Sequence, residues 1–130
     1  MKFLPKHLIK TIALLAIVFS CSNNSGSSQE EDLAELTLLN NDIEQLVSTG
    51  TCTGNSNCEY IAYGSKACGG PTSYLVYSTS IDVELLKEKV AEYNEKEDLY
   101  NNTWSVFSDC SVVLPPTSVE CINGKCTAIY

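Results

Sequence analysis

Cysteine content constrains this chain more than any other feature. Its 130 residues contain seven cysteines. Cys21 stands alone near the N-terminus, and Cys52, Cys58, Cys68, Cys110, Cys121 and Cys126 are spread over the remainder. An even set in a small exported domain reads as three disulfides, for which six cysteines allow fifteen pairings. The segment "CINGKC" narrows the choice. Asn123-Gly124 is a strong two-residue hairpin signal, and it sets Ile122 opposite Lys125 and Cys121 opposite Cys126. Such neighbours either bridge one another or reach separate partners beneath them. Cys52 and Cys58 stand at a comparable separation upstream, so the preferred set is Cys52–Cys121, Cys58–Cys126 and Cys68–Cys110. The last bridge is worth about 3–4 kcal/mol on a chain-entropy account, against a core of ~80 residues that supplies only a few kcal/mol. Cys121 and Cys126 also match zinc-ligand spacing. The other cysteines make no matching pair, so neither a metal nor a cofactor is expected.

The N-terminus argues for export. Lys2, Lys6 and Lys10 precede an apolar run from Thr11 to Phe19. That run is too short to span ~30 Å of hydrocarbon, which takes about 20 residues. It suits the central region of a secretory signal over 1–20. The flanking "VFSC" has an aliphatic residue at −3, a small residue at −1 and then cysteine, and it resembles the bacterial lipobox, with Phe19 departing from the usual small residue. The resemblance implies lipidation of Cys21, which becomes the first mature residue. Several acyl chains anchor firmly where one binds only marginally. The competing reading is an ordinary signal peptide cut near Ser20, with Cys21 left as an odd thiol. Ser22, rather than Asp, follows the cysteine. By similarity to lipoprotein sorting, this points to the outer membrane or the cell surface of a bacterial envelope, with the leaflet left open. "SNNSGSSQEED" completes a flexible acidic tether over 21–32. Residues 33–130 then form a single disulfide-rich domain.

Charge and histidine content exclude whole classes of function. After residue 20, five lysines and no arginine face all 16 acidic residues, a net charge of −11. Nucleic acid requires clustered Arg and Lys, so it is excluded as a partner. Anionic headgroups are equally poor partners, and the membrane is expected to hold the protein through the anchor at Cys21 alone. The single histidine, His7, lies in the signal. Without it there is no Ser-His-Asp or Cys-His nucleophile and no imidazole-based zinc site. An enzyme would need a converging carboxylate pair or a lone activated thiol. The expectation is a protein without catalytic residues.

Periodicity places the elements. Leu36, Leu39, Ile43 and Leu46 recur at helical spacing within Leu33–Val47. Asn40-Asn41 is expected to split this stretch, Asp42 to cap its second half, and Gly50 to end it. "CEYIAYG" (58–64) and "TSYLVYS" (72–78) read as strands. A long helix is expected from Ile81 to Tyr100, capped by Ser80 or Asp82. Its stripe of Leu86, Val90, Tyr93 and Tyr100 is interrupted by Glu97, while Glu84, Glu88, Glu92 and Glu95 face solvent. Trp104, Val106 and Phe107 suggest a strand or an extended segment ending at Cys110, and Pro115-Pro116 then bars a central strand. A hairpin of Ser118–Cys121 with Lys125–Tyr130 closes the chain. The fold expected is α+β. A small antiparallel sheet carries one long helix packed across it, the whole is disulfide-stapled, and an N-terminal helical segment is added.

"IAYGSKACGGPTSYLVYST", the Tyr93-Asn94 pair, "SDC" and "VECINGK" together resemble a group of small bacterial secreted lipoproteins. The resemblance spans Thr51 to the C-terminus. It implies a single domain and brings no activity, ligand or catalytic residue with it.

The densest local signal is "GSKACGGP", the connection between the two expected strands. Gly64, Gly69 and Gly70 permit positive φ around Cys68. On one reading the loop is only a stapled turn. On a second it is a binding surface for a protein or peptide, formed by Gly64, Lys66, Gly69 and Gly70 and flanked by Tyr60, Tyr63, Tyr74 and Tyr77, since tyrosine makes contacts at low entropic cost. A sharper form of the second is a substrate-like protease inhibitor that presents Lys66. The third is a thiol redox enzyme at Cys68. The binding module is the preferred function.

Overall fold

A computed structural model describes residues 26–130. The expected signal over 1–20 and the lipidation site Cys21 lie outside the described residues. The elements are α1 (Gln29–Ser48), a 3-10 turn (Asn55–Asn57), β1 (Cys58–Tyr63), β2 (Ser73–Ser78), α2 (Val83–Thr103), β3 (Ser118–Ile122) and β4 (Lys125–Ile129). The expected α+β, disulfide-stapled class holds, but the strands form two separate antiparallel ribbons, β1–β2 and β3–β4, rather than one sheet. Among the described residues, no helix is long and apolar enough to cross a membrane.

The first helix departs from expectation at both its start and its middle. Residues 29–32 belong to its first turn and not to a tether. Ser28 and Glu31 form a capping box: Ser28 Oγ accepts the Glu31 amide at 3.2 Å, and the Glu31 carboxylate accepts the Ser28 amide at 2.8 Å. Glu30, Glu31 and Asp32 also sit favourably at the positive end of the helix dipole. Nor does Asn40-Asn41 break the helix. The Asn40 side chain turns outward from the backbone, donates to Glu44 at 3.0 Å and accepts the Tyr63 hydroxyl. It therefore does not compete for local backbone groups.

The two helices run antiparallel. Lys89 reaches Asp42 at 3.1 Å and Lys96 reaches Glu35 at 2.8 Å, so both of these α2 lysines cross to α1. Asp82 caps α2 by accepting the Leu85 amide. Leu39, Ile43, Leu86, Val90 and Tyr77 form the core, with Ile61, Tyr63, Leu75 and Tyr93 packed around them. Ile43 and Leu86 are fully buried, each worth about 1.5–3 kcal/mol of transfer free energy. The β1–β2 register pairs Tyr60 with Val76 and Ala62 with Tyr74. Directly paired residues share a face, so Ile61, Tyr63, Leu75 and Tyr77 face the helices while Tyr60, Ala62, Tyr74 and Val76 face away.

The second ribbon turns at Asn123-Gly124, both at positive φ (52° and 76°), with Ile122 opposite Lys125 and Cys121 opposite Cys126. Cys52–Cys121 and Cys58–Cys126 staple it to the chain on either side of the 3-10 turn, and Cys68–Cys110 joins two loops. Residues 104–117 form no strand. Ser105 and Cys110 both adopt positive φ (51° and 53°), which an extended segment does not tolerate.

Candidate functional site: a clamped double loop

The Gly64–Pro71 connection is held from below by one stripe of α2. Asn94, Glu97 and Asn101 lie three and four residues apart and so share a helix face. Asn94 Oδ1 accepts the Gly64 amide at 2.7 Å, and its Nδ2 donates to the Ala62 carbonyl at 3.3 Å. Glu97 Oε2 accepts the Ser65 amide, and Asn101 Nδ2 donates to the Ser65 carbonyl at 2.7 Å. A loop leaving a strand must satisfy its backbone groups elsewhere, and here three polar side chains do so. Glu97, which in the sequence only interrupted an apolar stripe, is the centre of this rack. Its second oxygen accepts the Tyr93 hydroxyl at 3.3 Å. The signal was present in the sequence as polar residues at inward-phase positions of α2. Their partner was not, because it lies about thirty residues upstream and is chosen by the fold.

Gly64 is needed for two independent reasons. Its φ is +78°, and a Cβ there would run into Thr72 Oγ1 and crowd Glu97 Oε2. Gly69 and Gly70 also have positive φ but open surroundings. They close a turn in which the Lys66 amide donates to Gly70 O at 2.9 Å and the Gly69 amide to Lys66 O at 2.8 Å.

From the side, the loop is held by the segment that follows α2. Cys68 is bonded to Cys110. The Lys66 ammonium donates to Asp109 Oδ1 at 3.0 Å, to Ser111 O at 2.7 Å and to Ser111 Oγ at 3.0 Å. This side chain is only 11% exposed. The Asp109 carboxyl is lowered to about 2, first by its bond to Lys66 and then by the Ser111 hydroxyl and amide. Lys66 is therefore an internal clamp. It does not project into solvent as the inhibitor reading required. Cys68 carries no free thiol, so the redox reading has no nucleophile in this state.

The tyrosines divide. Tyr63 does not flank the loop surface. It points inward, stacks on Tyr93 with ring centroids 4.7 Å apart and donates to Asn40. Burial raises both phenols, Tyr93 to about 12. Tyr74 is on the outward face, edge-to-face with Tyr60 at 5.7 Å and 83°. Tyr77 is buried against Glu59, and its phenol is raised to about 12, chiefly by desolvation.

The sulfurs of Cys52, Cys58 and Cys126 lie within 4.8 Å of one another, a spacing that would suit a thiolate metal site. Each is committed to a disulfide, however, and a metal ligand must be a thiolate.

Comparison of the chain with protein-family models, with curated proteins and with solved structures finds no match.

Between α1 and α2 a cleft of about 410 Å³ is lined by Leu33, Leu36, Tyr93, Glu97, Asn101 and Val106 among others. Among the described residues, no buried side-chain nitrogen or oxygen lacks a partner. The polar groups of the site are thus spent on holding its own shape.

Proposed function

We propose that this chain is a lipid-anchored protein of the bacterial cell envelope that acts as a non-enzymatic module for binding a protein or peptide. The supporting observation is the Tyr60–Tyr74 pair on the outward face of β1–β2, the ribbon whose strands the Gly64–Pro71 loop joins. Tyr60 is 42% exposed. Paired tyrosines on a rigid ribbon offer large contact area with little further loss of rotamer freedom. Three disulfides suit an oxidising compartment, and Cys21 in its lipobox-like context supplies the anchor. Lys66 and Cys68 of the loop and Glu97 of α2 beneath it are all engaged internally, which favours recognition over chemistry.

The test is photo-crosslinking in the producing bacterium from a benzophenone side chain at position 60, with position 88 on the solvated face of α2 as control. The expected outcome is a discrete adduct from position 60 that disappears in a Tyr74→Ala background. A partner buried against these rings loses about 2 kcal/mol or more when a ring that anchors binding is truncated. Equal labelling from both positions, or an adduct indifferent to Tyr74, would remove this surface as the binding site.

A further inference from the structure

The two bridges that hold the C-terminal ribbon lie against one another. Cys52 is bonded to Cys121 and Cys58 to Cys126, yet the sulfurs of Cys52, Cys58 and Cys126 all fall within 4.8 Å of one another. A thiolate freed at Cys52 therefore has the neighbouring disulfide beside it. The four cysteines also differ in access. Cys52 and Cys58, on either side of the 3-10 turn, are buried, whereas Cys121 and Cys126 on the ribbon are half-buried.

Little besides these bonds fastens the ribbon. Among the described residues, none of the side chains that form or pack against the apolar core comes from β3 or β4. The remaining ties are polar. The Cys52 amide donates to Gly124 O at 3.1 Å and the Cys121 amide to Asn55 Oδ1 at 2.9 Å. Lys125 Nζ donates to Ser48 O at 3.0 Å, at the end of α1. Sulfur, rather than apolar burial, keeps β3–β4 in place.

We propose that these bridges form a redox switch in which a dithiol that opens either one releases the ribbon from both. Exchange requires access, so the attack falls on Cys121 or Cys126. At Cys121, a thiolate of the dithiol bonds to Sγ, the Cys52–Cys121 bond breaks and Cys52 leaves as a thiolate. The second thiol of the reductant then displaces Cys121 as a free thiol, and the reductant departs as a cyclic disulfide. The Cys52 thiolate attacks Cys58 Sγ. The Cys52–Cys58 bond forms, the Cys58–Cys126 bond breaks, and Cys126 takes the electron pair and then a proton from water. In sum one dithiol is oxidised and one protein disulfide is reduced. The bridge that remains, Cys52–Cys58, no longer includes the ribbon.

Burial sets the direction. A thiolate in apolar surroundings is destabilised, and a thiol of high pKa is the stronger nucleophile once ionised. Attack on Cys58 moves the charge from buried Cys52 to half-buried Cys126, where water reaches it. Attack on Cys126 would leave the charge on buried Cys58. Entry at Cys126 leads to the same product, because the Cys58 thiolate then attacks Cys52 and Cys121 leaves.

The test uses the full chain with Cys121→Ser, and separately with Cys126→Ser, labelled with N-ethylmaleimide without reductant and mapped as non-reduced peptides. In Cys121→Ser the label is expected on Cys126, with Cys52 and Cys58 joined. In Cys126→Ser it is expected on Cys121. A label that stays on Cys52 in the first variant, or on Cys58 in the second, would overturn the exchange. The unsubstituted protein, titrated with dithiothreitol and trapped with the same reagent, provides a measurement that needs no variant to fold. Once Cys68 and Cys110 are labelled, the next species is expected to carry label on Cys121 and Cys126 together, with Cys52 and Cys58 unlabelled in a single peptide. Amide exchange in that species should quicken across β3 and β4 and stay slow in α1 and α2. Label on Cys52 and Cys121 with Cys58–Cys126 intact would overturn the proposal, as would a ribbon that keeps its protection.

Discussion

Lys66 and Asp109 are 43 residues apart in the chain, yet their charged atoms stand 3.0 Å apart beside the Cys68–Cys110 bridge. The ammonium also holds both the carbonyl and the hydroxyl of Ser111. One side chain thus fixes the second loop against the first. In Lys66→Met, amide exchange is expected to quicken across residues 107–112 while protection of α1 and α2 is retained. The wild-type protein is expected not to inhibit trypsin-like proteases. Inhibition that disappeared in the same variant would show that Lys66 leaves its clamp to enter a protease pocket.

Acid should open the same clamp. The Asp109 carboxyl falls from 3.8 to about 2 through its bonds to Lys66 and Ser111. A depressed carboxyl contributes its stabilisation above the unfolded value and loses it as the pH falls through the folded one. The Ser111 amide, which donates to Asp109 at 3.1 Å, is therefore expected to shift in NMR spectra between pH 3.8 and about 2. Asp109→Asn should abolish that transition.

The two kinds of glycine in the loop predict different costs. Gly69→Ala meets open space and suffers only the left-handed backbone penalty, about 1–2 kcal/mol. Gly64→Ala adds a collision with Thr72 and Glu97, and a total of about 3 kcal/mol is expected. Urea melts of the two variants measure the difference, and equal losses would contradict it.

The disulfides should open in order. Cys68 and Cys110 are both exposed, whereas Cys52 and Cys58 are buried. Exposed bridges are attacked first by a thiolate, because exchange requires access. Graded reduction followed by alkylation and peptide mapping is expected to label Cys68 and Cys110 before any other pair. The helical circular dichroism should survive that first step, since the core lies between α1, α2 and β1–β2.

In alkali the buried phenols should lag behind. Tyr77 and Tyr93 are each raised from 10.0 to about 12, and Tyr63 is raised as well. For a group whose folded value is raised, the stabilisation is complete below the unfolded value and is lost as the pH climbs through the folded one. Phenolate absorbance is expected to keep rising between pH 10 and about 12, and the loss of stability should follow it. Tyr93→Phe and Tyr77→Phe should each remove part of the late phase.

Local signals carried most of the fold. The Asn123-Gly124 turn located the last ribbon and the facing of Cys121 and Cys126, and the set of pairings preferred among the fifteen is the one the three bridges adopt. Apolar spacing located both helices, and the paired strands 58–63 and 73–78 followed from their β-branched and aromatic content. What could not be read was non-local. Glu97 looked like a flaw in a stripe because its partner is the Ser65 amide. Asn40 looked like a break because its partner is Tyr63. Lys66 looked free because Asp109 and Ser111 lie in another loop. Trp104 and Phe107 looked like strand residues by composition. Two left-handed positions, at Ser105 and Cys110, keep that segment out of any ribbon.

The two bridges that fasten β3–β4 have a consequence for the protein's durability. Residues 111–117 run between the Cys68–Cys110 bond and the second ribbon, and Val112 and Leu114 there are largely exposed. A protease that cuts this stretch separates the backbone but not the molecule. The C-terminal piece stays fastened through Cys52–Cys121 and Cys58–Cys126. A nicked copy gains the mass of a water molecule and keeps its core, and only reduction releases the fragment.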